Sequence, residues 1–110
     1  MTASDTTWHD VAALDDLPEG DVVEREVAGR PIALYRLSDG VFATDATCTH
    51  GNASLCGGFV EDDVSIECPL HQGRFDIRSG RALCAPLEAD LAIHPVRVEA
   101  GRVRVGIAAA

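Results

Sequence analysis

Cys48-Thr49-His50-Gly51-Asn52-Ala53-Ser54 is followed, across residues 55–67, by Cys68-Pro69-Leu70-His71-Gln72-Gly73-Arg74-Phe75. Each stretch opens on a cysteine, with a histidine shortly after it. Each then runs on into small residues. Thiolates and neutral imidazoles are strong ligands for zinc and iron, so two Cys–His pairs make a candidate set of four ligands. Glycine near a ligand, as at Gly51 and Gly73, lets a backbone N–H approach a sulfur where a Cβ would clash. Pro69 stiffens the second loop between its two ligands. Residues 46–60 carry no charged side chain, in a chain that is 25% charged overall.

Outward from these loops the chain is small and acidic. Its 110 residues hold 9 basic and 18 acidic side chains, a formal charge of −9. Every basic residue is arginine. One domain over residues 1–110 is the expectation at this length. The acidic balance argues against nucleic acid, whose phosphates attract basic surfaces. Repulsion from anionic lipid and the lack of a long apolar run argue against a membrane. Met1-Thr2-Ala3-Ser4-Asp5 has neither a basic nor an apolar segment of a secretory signal, so a cytoplasmic location is expected. In that reducing compartment four cysteines suggest metal binding rather than disulfides, and Cys56 and Cys84 are expected as free thiols.

The remaining pattern is nearly all β. Turn-marking glycines recur at Gly20, Gly29, Gly40, Gly80 and Gly101. Between them, Ile32, Leu34 and Arg36 share one strand face, and Ala33, Tyr35 and Leu37 the other. Val103, Val105 and Ile107 alternate with Arg102, Arg104 and Gly106, the pattern of a half-buried strand. Strands are expected near 7–11, 21–27, 31–37, 41–45, 59–61, 64–67, 74–76, 91–98 and 102–107. Ser38-Asp39-Gly40 and Glu99-Ala100-Gly101 suit hairpin connections. Pro95 places its strand at an edge, with a bulge, because it donates no ladder hydrogen bond. A short helical turn is expected over Val11–Leu17. Trp8 is expected in the core, and His9 and His94 at the surface or a strand edge.

Two thiolates and two imidazoles suit either a tetrahedral zinc or a Rieske [2Fe–2S] centre, in which two histidines replace two cysteines on one iron. Paired zinc ligands usually have two to four residues between them, and Cys48 and His50 have one. The spacing therefore favours two irons, with the Cys and the His of each loop serving different metals.

These loops, with Ala43-Thr44-Asp45, Phe75-Asp76 and Ala82-Leu83-Cys84-Ala85-Pro86, resemble the Rieske-type ferredoxins of bacterial aromatic ring-hydroxylating dioxygenase systems. The resemblance covers nearly the whole chain. It implies a Rieske fold of antiparallel sheets, with a small cluster-binding subdomain over approximately residues 45–86. It implies one [2Fe–2S] cluster, with Cys48 and Cys68 on the inner iron and His50 and His71 on the outer one. Gly51, Leu70, Gln72, Gly73 and Pro86 would then lie around the cluster. Rieske proteins of quinol-oxidising complexes carry a disulfide between the two loops, and a serine and a tyrosine near the cluster. The matching positions here are Leu70, Gly73 and Phe75. Fewer hydrogen bonds to sulfur imply a potential near the low end of the Rieske range, roughly −150 mV.

The resemblance implies a one-electron carrier rather than an enzyme. Its transient partners would be a flavoprotein ferredoxin reductase and a terminal oxygenase. The chain is too short for an added mononuclear iron domain, and it has no Gly-x-Gly-x-x-Gly motif for a nucleotide cofactor of its own. Two other readings remain open: a small Rieske subunit of a reductase complex of the nitrite reductase type, and a structural zinc-binding module.

Overall fold

The structure, a computed structural model, describes residues 6–49, 53–69, 73–83 and 89–108. Its strands are β1 (Thr6–Ala13), β2 (Asp21–Val27), β3 (Arg30–Leu37), β4 (Gly40–Asp45), β5 (Phe59–Glu61), β6 (Ser65–Glu67), β7 (Arg74–Asp76), β8 (Ile93–His94), β9 (Val96–Glu99) and β10 (Arg102–Ala108). They form three antiparallel sheets, ordered β1-β10-β9, β2-β3-β4-β8 and β5-β6-β7. Short 3₁₀ turns at Leu14–Asp16 and Leu55–Gly57 are the helical elements among the described residues. Neither is long or apolar enough to cross a membrane.

The all-β expectation is met, and β3 explains how the layers join. Ile32, Ala33, Leu34 and Tyr35 are all buried, so this strand is covered on both faces. Ile32 and Leu34 pack with Val103, Val105 and Ile107 of β10. Ala33, Tyr35 and Leu37 pack instead with Leu55, Ile66 and Phe75, around the third sheet. The period-two pleat thus sends one strand's side chains into two separate cores.

Three local expectations need correction. The turn over Val11–Leu17 shrinks to Leu14–Asp16, because β1 continues to Ala13 along β10. A register shift between Asp10 and Ala12 makes Val11 a bulge and keeps Ala12 on the buried face. The strand expected at 91–98 is not one bulged strand. It breaks at Pro95, with β8 pairing to β4 and β9 to β10. The missing N–H of proline falls where the chain changes sheets. Trp8 is half-buried rather than core. It lies opposite Gly106, on the face turned away from Val105 and Ile107, with the Arg97 guanidinium 4.1 Å from its ring centre. His94 lies on an edge strand as expected, yet its side chain is only 8% exposed.

The hairpin expected at Glu99-Ala100-Gly101 is present, with Glu99 opposite Arg102. Ala100 and Gly101 both take positive φ, 51° and 75°. That is the primed turn whose twist matches the flanking strands.

Candidate metal centre

The first ligand loop leaves β4 and folds back on itself. Ala46 N–H donates to Pro31 O at 3.0 Å, and Leu55 N–H to Ala46 O at 2.7 Å. Thr47 and Ser54 form a bridge between these anchors. Inside it, Cys48 N–H donates to Ala53 O at 2.9 Å. The second loop joins β6 to β7. There Cys68 N–H donates to Gly73 O at 2.8 Å. Both loops are therefore closed by the same device, a bond from the cysteine N–H to the carbonyl five residues on.

The two loops bring their cysteines into one core. Cys48 is 2% and Cys68 0% exposed, and both belong to the cluster with Tyr35, Leu55, Ile66 and Phe75. A thiolate in such surroundings is costly without a cation beside it. A metal supplies that cation, so this donor chemistry fits an iron–sulfur group held by Cys48 and Cys68. Gly73 is also described, and buried. His50, His71, Gly51, Leu70, Gln72 and Pro86 lie outside the described residues, as does Cys84.

Several supporting residues escape the sequence pattern. Thr49 Oγ1 donates to Ala89 O at 2.9 Å, tying the first loop to a segment 40 residues away. Ser54 Oγ donates to Glu24 Oε1 at 2.7 Å and accepts from Cys56 N–H at 3.2 Å, so β2 holds the far end of the same loop. Asp45, three residues before Cys48, accepts from Arg30 at 3.1 Å and pairs with His94 Nε2 at 2.8 Å. On the other side Arg78 spans the β3–β4 turn and the β5–β6 turn. Its Nε donates to Asp39 at 3.1 Å and its Nη1 to the Asp63 carbonyl at 2.7 Å. Ser38 adds a hydroxyl bond to the Asp63 carboxylate. A serine at a helical cap or an Asp in a turn gives a weak local signal. Nothing near Glu24 or Asp39 in the chain announces its distant partner.

Titration behaviour follows burial. Tyr35 is pushed well up by burial, and its hydroxyl lies 2.8 Å from Thr44 Oγ1. Burial also pushes the Cys56 thiol up, and Glu24 and Asp21 add to this against the opposing Ser54 hydrogen bond. The half-buried Cys56 is thereby kept protonated and poorly nucleophilic.

The chain matches the Rieske [2Fe-2S] domain over residues 7–95. It is 54% identical over 96 residues to the ferredoxin component of the naphthalene 1,2-dioxygenase/salicylate 5-hydroxylase systems of Ralstonia sp, covering 87% of this chain and 91% of that one. The ferredoxin of carbazole 1,9a-dioxygenase from Nocardioides aromaticivorans IC177 superimposes with a TM-score of 0.86 at 34% identity, over 90% of this chain and 96% of that one. A chain of the complex of reduced oxygenase and oxidized ferredoxin in carbazole 1,9a-dioxygenase does so with a TM-score of 0.82 at 38% identity, over 89% and 91%.

Proposed function

Because the chain belongs to the Rieske [2Fe-2S] family, among the ferredoxin components of aromatic dioxygenase systems, we propose that its cluster is held by Cys48, His50, Cys68 and His71. It is an electron-transfer component with one Rieske cluster, and not itself the catalyst. That cluster, when bound, takes up and releases one electron at a time. A structural zinc is set aside, because the matching domain is an iron–sulfur one. The cluster-binding subdomain is taken as approximately residues 45–86, and the whole of 1–110 as one domain. Gly51, Leu70, Gln72, Gly73 and Pro86 would surround the cluster.

The observation that carries the ligand assignment is the matched pair of loops, each closed from a buried cysteine to the fifth residue on. The chain's own residues then have three tasks. Cys48 and Cys68 anchor the group on the inner side, in the apolar core. Thr49, Ser54 and Glu24 hold the first loop in place against the body. Gly73 and Phe75 bring no hydroxyl toward the sulfurs, which keeps the potential low.

The carrier takes electrons from a flavoprotein ferredoxin reductase and gives them to a terminal oxygenase, in the cytoplasm. Support for the second partner comes from the similarity to a ferredoxin seen with its oxygenase. Both encounters are transient. The uncharged stretch 46–60 suits a contact surface, while the acidic remainder steers approach.

The deciding measurement is iron and acid-labile sulfide on the purified protein, with the visible spectrum of the two single histidine variants. Two irons and two sulfides per chain are expected. His50→Cys or His71→Cys should keep a cluster and lower its potential, since thiolate replaces imidazole. An unchanged spectrum and potential in both variants would remove these histidines from the ligand set.

A further inference from the structure

Residues 89–92 belong to no strand, yet the short stretch 89–94 is bonded on two sides. On one side it meets the first ligand loop. Ala89 O accepts from Thr49 Oγ1 at 2.9 Å, Ala92 O accepts from Asp45 N–H at 2.9 Å, and His94 Nε2 lies 2.8 Å from Asp45 Oδ1. On the other side it meets residues 80–82. Leu91 N–H donates to Gly80 O at 2.7 Å, and Asp90 Oδ1 accepts from Ala82 N–H at 2.9 Å. That arm lies along β7, where Asp76 N–H donates to Arg81 O and Leu83 N–H to Arg74 O, each at 2.8 Å. β7 begins directly after Gly73, which closes the second ligand loop. Residues 89–94 are thus bonded to the first ligand loop and, through one intervening arm, to the end of the second.

The fit is close. Gly80 has a φ of +76°, and a Cβ there would stand 2.0 Å from Leu91 O. Leu91 is buried in the core that holds Cys48 and Cys68. His94 is largely buried, so its bond to Asp45 is little screened, and it fixes a carboxylate that exposed Arg30 also contacts. Asp90 serves as acceptor of a backbone N–H, a role an uncharged amide can also fill. Beyond His94 the chain is held to β10, where Gly106 N–H donates to Pro95 O at 2.9 Å.

We propose that residues 89–94 are a strut that sets the placement of the two ligand loops relative to each other, with Asp90 and His94 as its positioning residues. Ligands of one metal group must be held to within about 0.5 Å, and two loops rooted in different sheets need a common support to do so. The inference rests on the ligand assignment proposed above in that a cluster shared by both loops would feel their spacing. Neither Asp90 nor His94 is itself a ligand.

The test uses the full, cluster-loaded protein and the variants Asp90→Ala, Asp90→Asn, His94→Leu and His94→Gln. Asn and Gln keep a hydrogen-bonding group that Ala and Leu remove. Hydrogen exchange, read by mass spectrometry, follows peptides that contain Cys48 and peptides that contain Cys68. Asp90→Ala breaks a bond on the second-loop side, yet exchange around Cys48 should quicken roughly fivefold, the effect of one net hydrogen bond. His94→Leu should do the same around Cys68. The midpoint potential should rise in both, since a loosened loop admits water, which stabilises the more negative reduced state. Asp90→Asn and His94→Gln should match the unsubstituted protein in both measurements. Asp90 is exposed, so its pair of variants keeps the test open should His94→Leu fail to fold. Effects confined to the loop that each residue touches would overturn the strut, as would unchanged exchange. A potential that shifts equally in Asp90→Asn and Asp90→Ala would assign the effect to charge and overturn the positioning role. If the unsubstituted protein holds no iron and sulfide, or keeps both after Cys68→Ser, the ligand reading falls, and the crossed exchange effects in the protein as purified still decide the strut.

Discussion

The two faces of β3 look into unlike halves of the molecule. On the Ile32 and Leu34 side, the seven- and eight-residue strands β10 and β1 run together in a long ladder over a closed apolar core. On the Tyr35 and Leu37 side the strands of the third sheet are three residues long, and much of the chain is loop. There, single contacts hold what ladders hold elsewhere: Thr49 on Ala89, Ser54 on Glu24, and Arg78 on Asp39 and Asp63. Short strands cannot provide much stability by pairing alone. A cluster held at Cys48 and Cys68, as proposed, would supply part of the cohesion of this half, as bound metals do in small domains.

Removing the metal should break the comparison most visibly. In protein stripped of iron, hydrogen exchange should show lost protection at Cys48 and Cys68 N–H, with protection kept at Val103 and Val105 of β10. Cys68→Ser should do the same and abolish stoichiometric iron. Equal loss in both halves would mean that they unfold as one unit.

Packing changes should separate the halves next. Leu34→Ala truncates a buried side chain in the core away from the cysteines and should cost about 2–5 kcal/mol of stability. The visible spectrum and potential should stay unchanged as long as the protein is folded. Denaturant unfolding followed at the cluster absorbance and by far-UV circular dichroism checks this. A shifted potential would show that the two cores communicate.

A polar change on the cluster side should act in the opposite way, on potential more than on stability. Gly73→Ser combined with Phe75→Tyr introduces two hydroxyls, at positions that are buried. The midpoint, measured by redox titration, should rise from near −150 mV by some tens of mV, moving up the Rieske range. No rise would mean that the hydroxyls do not reach the sulfurs.

The smallest effect concerns acid. Hydrogen bonding to Arg78 holds the Asp39 carboxyl below its ordinary value, and bonds from Ser38 do so for Asp63. A carboxylate lowered on folding contributes stability that is present above its unfolded pKa, near 3.9, and lost as pH falls through its folded pKa. Arg102 lowers Asp10 similarly on the body. Arg78→Ala should reduce Tm at pH 7 by no more than about 5 °C, because exposed ion pairs contribute little. The difference from the unsubstituted protein should vanish once the pH has fallen below the folded pKa of both carboxyls. A persistent difference there would assign the effect to packing of Arg78 on the Phe42 ring, 5.0 Å from its guanidinium.

Much of this fold was legible in the residues. Alternating patterns placed most strands, because side-chain direction along a strand follows directly from chain position. The opposite faces of residues 32–37 could be read in the same way, although that both were buried could not. Misreadings came where distant pairing prevailed over local pattern. Val11, Leu14 and Leu17 recur every three residues, yet β10 draws Val11 into a bulged strand. Trp8 is large and apolar, yet its register with Gly106 turns it outward. Pro95 signalled an edge, but not that the chain would change sheets.

The chain by itself narrowed the metal chemistry to zinc or an iron–sulfur cluster, and the single residue between Cys48 and His50 favoured two irons. Thiol and imidazole donors at short spacing are a local property, and no folding is needed to see which ions they suit. Tertiary structure decided what lies around them. It buried Cys48 and Cys68 in one core, brought Glu24 to Ser54 and Ala89 to Thr49, and set His94 against Asp45 and Asp90 against Ala82. These relations join residues far apart in sequence. They depend on how sheets stack and which strands pair, which no local pattern encodes.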